Sequence, residues 1–398
     1  MDSQYDIAIV GGRVAGSACA IMLSRLGYRI LLIERAEMPS DTLSTHFLLP
    51  DGVAALHRLG VLDSVLTTDA PKIPYIQLWR GDQRLIGDLA DIDGIDYGLC
   101  PRRTVLDGIL FDHAASQPGV DAYDRTNLKR LIMDGNRVTG INISDQDGET
   151  HDIQTNLVVG ADGRNSRVAS EVDAEERQVT PAGKYWYYAY FSGATPPEPT
   201  ANVTSITETD VIITIPTNDG LQMVFYGANH EDFKEFRARY QDNFIERVMD
   251  HPAVAQMLSN AELASDVTGM SGVKGYYRTA YGDGWVLAGD AFHQKDPIAA
   301  RGMSEGLRSA EWLATALSEG INPEMLAHYE ELHRKSTWSK YQLMRILARP
   351  DWFRTDEQAQ IMAERLVSRE GLTEFLRLYY DDRQRFDDYF TAEAPAGQ

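Results

Sequence analysis

The first 34 residues constrain the fold most strongly, because they combine three signals in a fixed order. An apolar run over 5–10 predicts a strand, Gly11 and Gly12 predict a turn, and small residues over 14–26 predict a helix. Gly11 permits a tight turn, Gly16 lets the helix pack close to the sheet, and the helix N-terminus can hold a pyrophosphate. This order predicts the first βα unit of a dinucleotide-binding fold.

A second apolar run over 28–33 ends on Glu34, at the spacing where a carboxylate binds the ribose hydroxyls of a dinucleotide. One position departs from the G-x-G-x-x-G pattern, because Arg13 replaces the middle glycine. The Arg13 guanidinium either covers the pyrophosphate or lines the cofactor cavity, or it points to solvent. The alternative for the whole stretch is an ordinary buried βα unit without a ligand.

Length and charge limit the other possibilities. A chain of 398 residues exceeds one usual core, so two structural regions are expected. The net charge of −21 disfavours nucleic acid and anionic membrane surfaces as partners. Cys19 and Cys100 have no metal-ligand spacing and do not suggest a disulfide framework, so we predict no metal site. No stretch is apolar enough to span a membrane, and we expect a cytoplasmic protein.

The period of the apolar residues changes along the chain. Helical spacing over 51–60 gives way to strand alternation over 73–89, where Gly81-Asp82 predicts a hairpin. We interpret 73–100 and 181–270 as a substrate-binding antiparallel sheet domain, inserted twice into a dinucleotide-binding domain over 1–72, 101–180 and 271–320. The remaining residues, 321–398, are predicted to form C-terminal helices, including amphipathic helices over 338–347 and 357–378.

An aromatic run over 185–191 is typical of a strand. Its alternation places Tyr185, Tyr187, Ala189 and Phe191 on one face and Trp186, Tyr188 and Tyr190 on the other. One face could form the floor of an aromatic pocket. Packing within the sheet domain is the interpretation that we prefer.

A second decisive stretch begins at Gly284. A short apolar strand leads to Asp290, a loop carries Pro297, and Gly302 begins a helix. Asp290 can accept hydrogen bonds from the ribityl hydroxyls of a flavin, and N–H groups around Gly302 and Met303 can stabilise negative charge on a reduced flavin ring. A nicotinamide enzyme does not need this second site, so the predicted cofactor is a flavin.

Three stretches, at the N-terminus, over 160–167 and over 284–313, resemble those of the FAD-dependent monooxygenases related to para-hydroxybenzoate hydroxylase. The resemblance implies an α/β fold in which a Rossmann-like FAD-binding domain carries the inserted sheet. It also implies reduction of FAD by the co-substrate NAD(P)H, reaction with oxygen to a flavin C4a-hydroperoxide, and hydroxylation of an aromatic or polyketide-like molecule. The chain has no second G-x-G-x-x-G, which fits a reductant that visits a shared groove.

The resemblance and the residue types together predict the site residues. Predicted FAD-binding residues are Gly11, Arg13, Val14, Ala15, Gly16, Glu34, Arg35, Arg103, Asp162, Asp290, Gly302 and Met303, and predicted catalytic residues are Pro297, Arg301 and His46. Arg301 departs from the family, and could stabilise an anionic flavin, bind an acidic substrate or form a surface salt bridge. His46 lies on a loop that is expected to face the flavin.

Other functions remain open from the sequence. A flavin-dependent reductase, similar to geranylgeranyl reductases, and a two-component or halogenase-like enzyme share this fold. The halogenase signature Trp-x-Trp-x-Ile-Pro is absent, which counts against that branch. A non-catalytic, flavin-containing protein that binds a ligand is the alternative outside the enzymes. The expected partner is a small molecule, and the C-terminal helices could also pack against a second subunit.

Overall fold

The computed structural model describes residues 2–81, 83–196, 200–207, 209–349 and 365–380. The strands are β1 (Gln4–Val10), β2 (Ile30–Ile33), β3 (Tyr75–Arg80), β4 (Gln83–Asp88), β5 (Val120–Tyr123), β6 (Asn127–Asp134), β7 (Arg137–Ser144), β8 (Thr150–Gly160), β9 (Glu176–Thr180), β10 (Lys184–Ser192), β11 (Ala201–Ile206), β12 (Asp210–Pro216), β13 (Gln222–Asn229), β14 (Glu262–Leu263), β15 (Thr268–Met270), β16 (Gly275–Arg278), β17 (Tyr281–Gly282), β18 (Trp285–Leu287) and β19 (His293–Gln294). The α-helices are α1 (Val14–Ser24), α2 (Pro50–Leu59), α3 (Leu62–Leu66), α4 (Arg103–Ala115), α5 (Arg167–Glu171), α6 (Phe233–Ala238), α7 (Tyr240–Met249), α8 (Pro252–Met257), α9 (Gly302–Ala316), α10 (Pro323–Leu347) and α11 (Arg369–Tyr380).

The first sheet has a parallel centre. Strands β18, β8, β1, β2 and β5 are parallel neighbours, and β6 and β7 join the sheet beside β8. All four residues of β2 are buried, as expected for a parallel strand that is covered on both faces. Helix α1 packs against α9 and α4. These elements confirm the predicted βα unit and the α/β Rossmann-like class.

The second sheet combines two strands between residues 75 and 88 with strands between residues 184 and 270. Its order is β14-β10-β13-β12-β11-β3-β4, with β15 also paired to β10. Asp82 lies outside the described residues, but β3 and β4 pair antiparallel, with Arg80 opposite Gln83, as a hairpin requires. The neighbours β3 and β11 differ from the expected pattern, because they are parallel. A parallel pair needs a long crossover, and the chain makes one through the first sheet before it returns to the second.

The aromatic strand β10 has two differently packed faces. Trp186, Tyr188 and Tyr190 belong to the large core that includes the first sheet. Tyr185, Tyr187, Ala189 and Phe191 belong to a separate core with side chains of α6, α7 and α8. The predicted alternation is therefore confirmed, and the face with Trp186 is the one directed toward the dinucleotide-binding domain.

The helices outside the two sheets partly match the predictions. Helix α2 ends at Leu59, and the left-handed φ of 82° at the following Gly60 confirms the predicted glycine cap. Helix α10 includes the predicted helix over 338–347. Of the one predicted over 357–378, residues 357–364 lie outside the described residues, and α11 forms only from Arg369 onward. Helix α11 packs on β4, and its Tyr379 hydroxyl donates to the carbonyl of Ala299 at 2.7 Å. Across the described ranges, no helix combines the length and apolarity of a membrane span.

Candidate active site

A cavity of about 490 Å³ opens at the carboxyl ends of β1, β2, β8 and β18. This is the edge of a doubly wound sheet where ligands bind. Thirteen of the predicted site residues line it, namely Gly11, Arg13, Val14, Ala15, Glu34, Arg35, Arg103, Asp162, Asp290, Pro297, Arg301, Gly302 and Met303. Gly16 and His46 are not among its described lining residues.

The glycine turn forms one end of the cavity. Gly11 has a φ of +105°, and a Cβ there would lie 2.5 Å from the carbonyl oxygen of Ala161. A Cβ at Gly16 would lie 1.7 Å from the carbonyl oxygen of Gly11. Only glycine at position 16 therefore lets α1 pack this closely against the turn. No side chain caps the N-terminus of α1, which leaves its first N–H groups for an anion. This cradle fits the pyrophosphate of a dinucleotide.

Glu34 lies at the end of β2 and is buried. Its Oε2 accepts a hydrogen bond from the Gly12 N–H at 2.8 Å, and its Oε1 accepts one from the Ala36 N–H at 3.0 Å. Each carboxylate oxygen can accept a second hydrogen bond. Glu34 is therefore fixed in place and can still bind ribose hydroxyls.

Asp107 binds two of the cavity arginines and was missed by sequence reasoning. Its buried carboxylate accepts hydrogen bonds from Arg103 at 2.8 and 3.0 Å and from Arg13 at 3.0 Å. The Arg13 guanidinium also donates to the Ser40 carbonyl at 3.0 Å and to the Ser40 hydroxyl at 2.8 Å. Arg13 thus joins α4 to the loop over 38–45, and the interpretation in which it points to solvent is wrong. The only sequence signal for Asp107 was its spacing of four residues from Arg103 on one helix face.

We expect Arg13→Gly to weaken FAD binding by roughly fivefold to tenfold, which corresponds to about 1 kcal/mol. The substitution removes the contacts that hold the loop over 38–45 and leaves Asp107 with one cation. The measurement is FAD affinity by fluorescence titration, together with the absorbance spectrum of the bound flavin. Arg29→Gly is the control, because Arg29 pairs with Asp2 at the exposed surface. An affinity and a spectrum equal to those of the parent would contradict this role.

Asp290 and the start of α9 form another part of the cavity wall. The ideal Cβ position at Gly302 lies 3.9 Å from Asp290 Oδ1, so the carboxylate is beside the helix N-terminus. Burial raises the pKa of Asp290, and the charges of Lys295 and Arg103 oppose the rise. Asp162 is placed differently, since its carboxylate accepts hydrogen bonds from the Ser166 hydroxyl at 2.5 Å and the Arg167 N–H at 2.6 Å. Asp162 therefore orders the start of α5 as well as lining the cavity.

Arg301 is buried, with 1% of its side chain exposed. Its guanidinium donates to both carboxylate oxygens of Asp51 at 2.7 and 3.0 Å, and Glu305 lies 3.4 Å away. The prediction of a surface salt bridge is therefore wrong, because the pairing lies in the interior. Asp51 and Glu305 already compensate the positive charge of Arg301. This is the charge that the sequence suggested for binding an anionic flavin or an acidic substrate.

Lys295 is a second buried cation that sequence reasoning missed. It lines the cavity, and its Nζ lies 2.7 Å from Glu305 Oε2. Burial alone would raise the pKa of Glu305, but the charges of Lys295 and Arg301 hold it well below its usual range. The carboxylate therefore stays ionised between two cations at the start of α9.

His46 lies behind the cavity wall. Its Nδ1 donates to the Ser44 carbonyl at 2.7 Å, and its Nε2 accepts a hydrogen bond from the Tyr190 hydroxyl at 2.9 Å. Burial and the nearby charge of Arg103 lower the pKa of His46 to about 3. The imidazole is neutral at physiological pH, so it supports the loop over 38–45 and is placed poorly for acid–base chemistry on a cavity ligand.

Comparisons with known proteins agree on the fold. The family described as "FAD binding domain" matches residues 4–342. The 1H-pyrrole-2-carbonyl-(peptidyl-carrier protein) brominase of Pseudoalteromonas luteoviolacea is 25% identical over 332 residues, which cover 79% of this chain and 78% of the brominase. The 6-methylpretetramide 4-monooxygenase of Streptomyces rimosus is 24% identical over 325 residues, covering 79% and 76%. The solved structure of the flavin-dependent brominase Bmp2 aligns with a TM-score of 0.82 and 21% identity over 98% of this chain and 97% of that one.

Proposed function

Because the chain belongs to the FAD-binding-domain family of flavoenzymes related to para-hydroxybenzoate hydroxylase, we propose that it is an FAD-dependent monooxygenase. It takes electrons from NADH or NADPH and inserts one oxygen atom of O2 into an aromatic or polyketide-like small molecule. The observation that carries the proposal is the aromatic face of β10. Trp186 and Tyr188 on this face contact Asp296 at 3.1 Å and Asp41 at 3.3 Å, next to loops that line the cofactor cavity.

The residues of the cavity have separate tasks in this reaction. When bound, FAD supplies a carrier for two electrons and the reaction with molecular oxygen. The glycine turn and the start of α1 hold its pyrophosphate, Glu34 its adenosine ribose, and Asp290 its ribityl chain. The N-terminus of α9 at Gly302 places partial positive charge at the flavin end of the cavity. Trp186 and Tyr188 lie buried behind the loops of the cavity and close the wall next to them to water.

The test is a spectroscopic titration of the purified flavoprotein. Under anaerobic conditions NADH or NADPH is added with each member of a panel of phenolic and polycyclic compounds. We expect one ligand class to accelerate flavin bleaching, and admission of isotopically labelled O2 to restore the colour and label the product with one oxygen atom. If neither nicotinamide reduces the flavin with any ligand, the proposal of a single-component hydroxylase fails in favour of a separate reductase or a non-catalytic protein.

Halogenation is a second candidate, and the similarity to the brominase supports it. The missing Trp-x-Trp-x-Ile-Pro motif counts against one branch of halogenases. The same assay with added bromide separates the two reactions, because a brominated product shows the paired isotopes of bromine in its mass spectrum. A reductase would instead saturate an alkene without consuming oxygen.

A further inference from the structure

One carboxylate in the wall of the cavity has an oxygen atom without a protein partner. Asp296 is 2% exposed and lines the cavity directly before Pro297. Its Oδ1 accepts hydrogen bonds from the Trp186 indole N–H at 3.1 Å and the Ile298 N–H at 3.0 Å. Its Oδ2 is buried and has no hydrogen-bond partner in the described part of the chain. A buried polar atom without a hydrogen bond lowers the stability of the fold, and buried polar atoms in folded proteins normally have a partner.

The nearby cations bind other oxygens. Lys295, the preceding residue, directs its Nζ to Glu305 at 2.7 Å, and Lys184 donates to the Asn229 side-chain oxygen at 2.8 Å. Arg301 on the same loop binds Asp51. The loop therefore carries a carboxylate oxygen that no group in the described part of the chain binds, while the charges of Lys295 and Arg301 are compensated inside the protein. Such a surface repels an acidic ligand and favours an uncharged hydrogen-bond donor.

The position of Asp296 connects this oxygen to the substrate. The residue joins the loop of Pro297 to the aromatic face of β10 through the indole of Trp186. Trp186 is itself fully buried, so a ring in the cavity would bring its polar substituent to the loop at Asp296 and Pro297 and not to the indole. Burial raises the pKa of Asp296 to about 7, and the charge of Lys184 opposes the rise. The carboxyl group is therefore ionised in mildly alkaline buffer and acts there as an acceptor.

We propose that Asp296 is a specificity-determining residue, whose carboxylate accepts a hydrogen bond from a hydroxyl group of an uncharged aromatic ligand. The cavity then prefers hydroxylated rings to ring ethers and to ring carboxylates. This inference rests on the proposed function only in placing the substrate ring in the cavity beside this loop. It does not depend on whether the reaction adds oxygen or bromine.

The test uses three naphthalenes that differ in one substituent. The oxidised FAD-bound protein is titrated at about pH 8.5, above the raised pKa of Asp296, with 2-naphthol, 2-methoxynaphthalene and 2-naphthoate. Binding is followed by the change in flavin absorbance. We expect 2-naphthol to bind at least roughly tenfold more tightly than the other two, because a site that hydrogen-bonds a hydroxyl rejects analogues without it. Equal affinities, or no binding of any of the three, would overturn the proposal.

The variant Asp296→Asn assigns the preference to this residue. It keeps an oxygen for Trp186 and Ile298 and removes the charge, so FAD content and thermal stability should equal those of the parent. We expect the affinity for 2-naphthol to fall roughly tenfold, to that of the methyl ether. Asp283→Asn, at an exposed salt bridge with Arg137, is the matched control. A retained preference in Asp296→Asn overturns the assignment. The titrations contain no reductant and measure binding alone. They therefore test Asp296 even if the protein does not catalyse the proposed reaction.

Discussion

Arg301→Met is expected to destabilise the protein by about 3–5 kcal/mol, because it leaves buried carboxylates without their cation. Asp51 loses both of its hydrogen bonds from the guanidinium, and Glu305 keeps Lys295 as its cation, with His293 3.4 Å away. Methionine fills a similar volume, so the effect measures charge more than packing. The measurement is the free energy of unfolding in denaturant, at a fixed FAD concentration that saturates both proteins.

Two further variants show whether burial is the cause. Arg58 also pairs with two acidic residues, Glu311 and Asp93, but 37% of its side chain is exposed. Arg58→Met should therefore cost less than about 1 kcal/mol. Combining Arg301→Met with Asp51→Leu should recover much of the lost stability, because the unpaired charge is removed as well. If Arg301→Met and Arg58→Met cost the same, the buried cluster does not stabilise the fold as argued.

Asp290→Ala is expected to weaken FAD binding by roughly 10- to 100-fold, or about 1.5–3 kcal/mol, which is typical of lost hydrogen bonds to a charged group. Asp290 is the cavity carboxylate beside the start of α9. The purified variant should therefore be colourless or nearly so. FAD affinity is measured by titration of the apoprotein.

The control for this substitution is Asp283→Ala, which removes an exposed aspartate seven positions earlier in the chain. It should keep its full yellow colour. Asp290→Asn tests the chemistry, because it keeps one acceptor oxygen and should lie between the parent and Asp290→Ala. Full retention of flavin by Asp290→Ala would mean that Asp290 does not hold the cofactor.

Local patterns in the sequence were sufficient for much of the fold. The glycine turn at Gly11, the hairpin of β3 and β4, the helix end at Gly60 and the helix start at Gly302 were all predicted, and each is confirmed. Each depends on residues that are near one another in the chain. The two faces of β10 were predicted for the same reason, since alternation is a property of any strand.

Contacts between distant residues could not be predicted in this way. Arg301 and Asp51 are 250 positions apart, so neither one indicates its partner in the sequence. The importance of Asp296 also depends on Trp186, which is 110 positions earlier. For His46, the sequence placed the loop near the cavity but could not show that the ring turns to Tyr190. These side chains have a defined role only once the two sheets are packed together.

The hydrogen bond between Tyr379 and Ala299 bears on the order of events during protein synthesis. The carbonyl of Ala299 belongs to the loop that lines the cavity, and its partner is made 80 residues later. A nascent chain that has already formed both sheets still lacks α11. This helix packs on β4, and its Tyr379 hydroxyl binds the carbonyl of Ala299 in the loop. While α11 is inside the ribosome, the flavin end of the cavity is incomplete. Tight loading of the cofactor therefore requires that α11 has already left the ribosome and packed on β4.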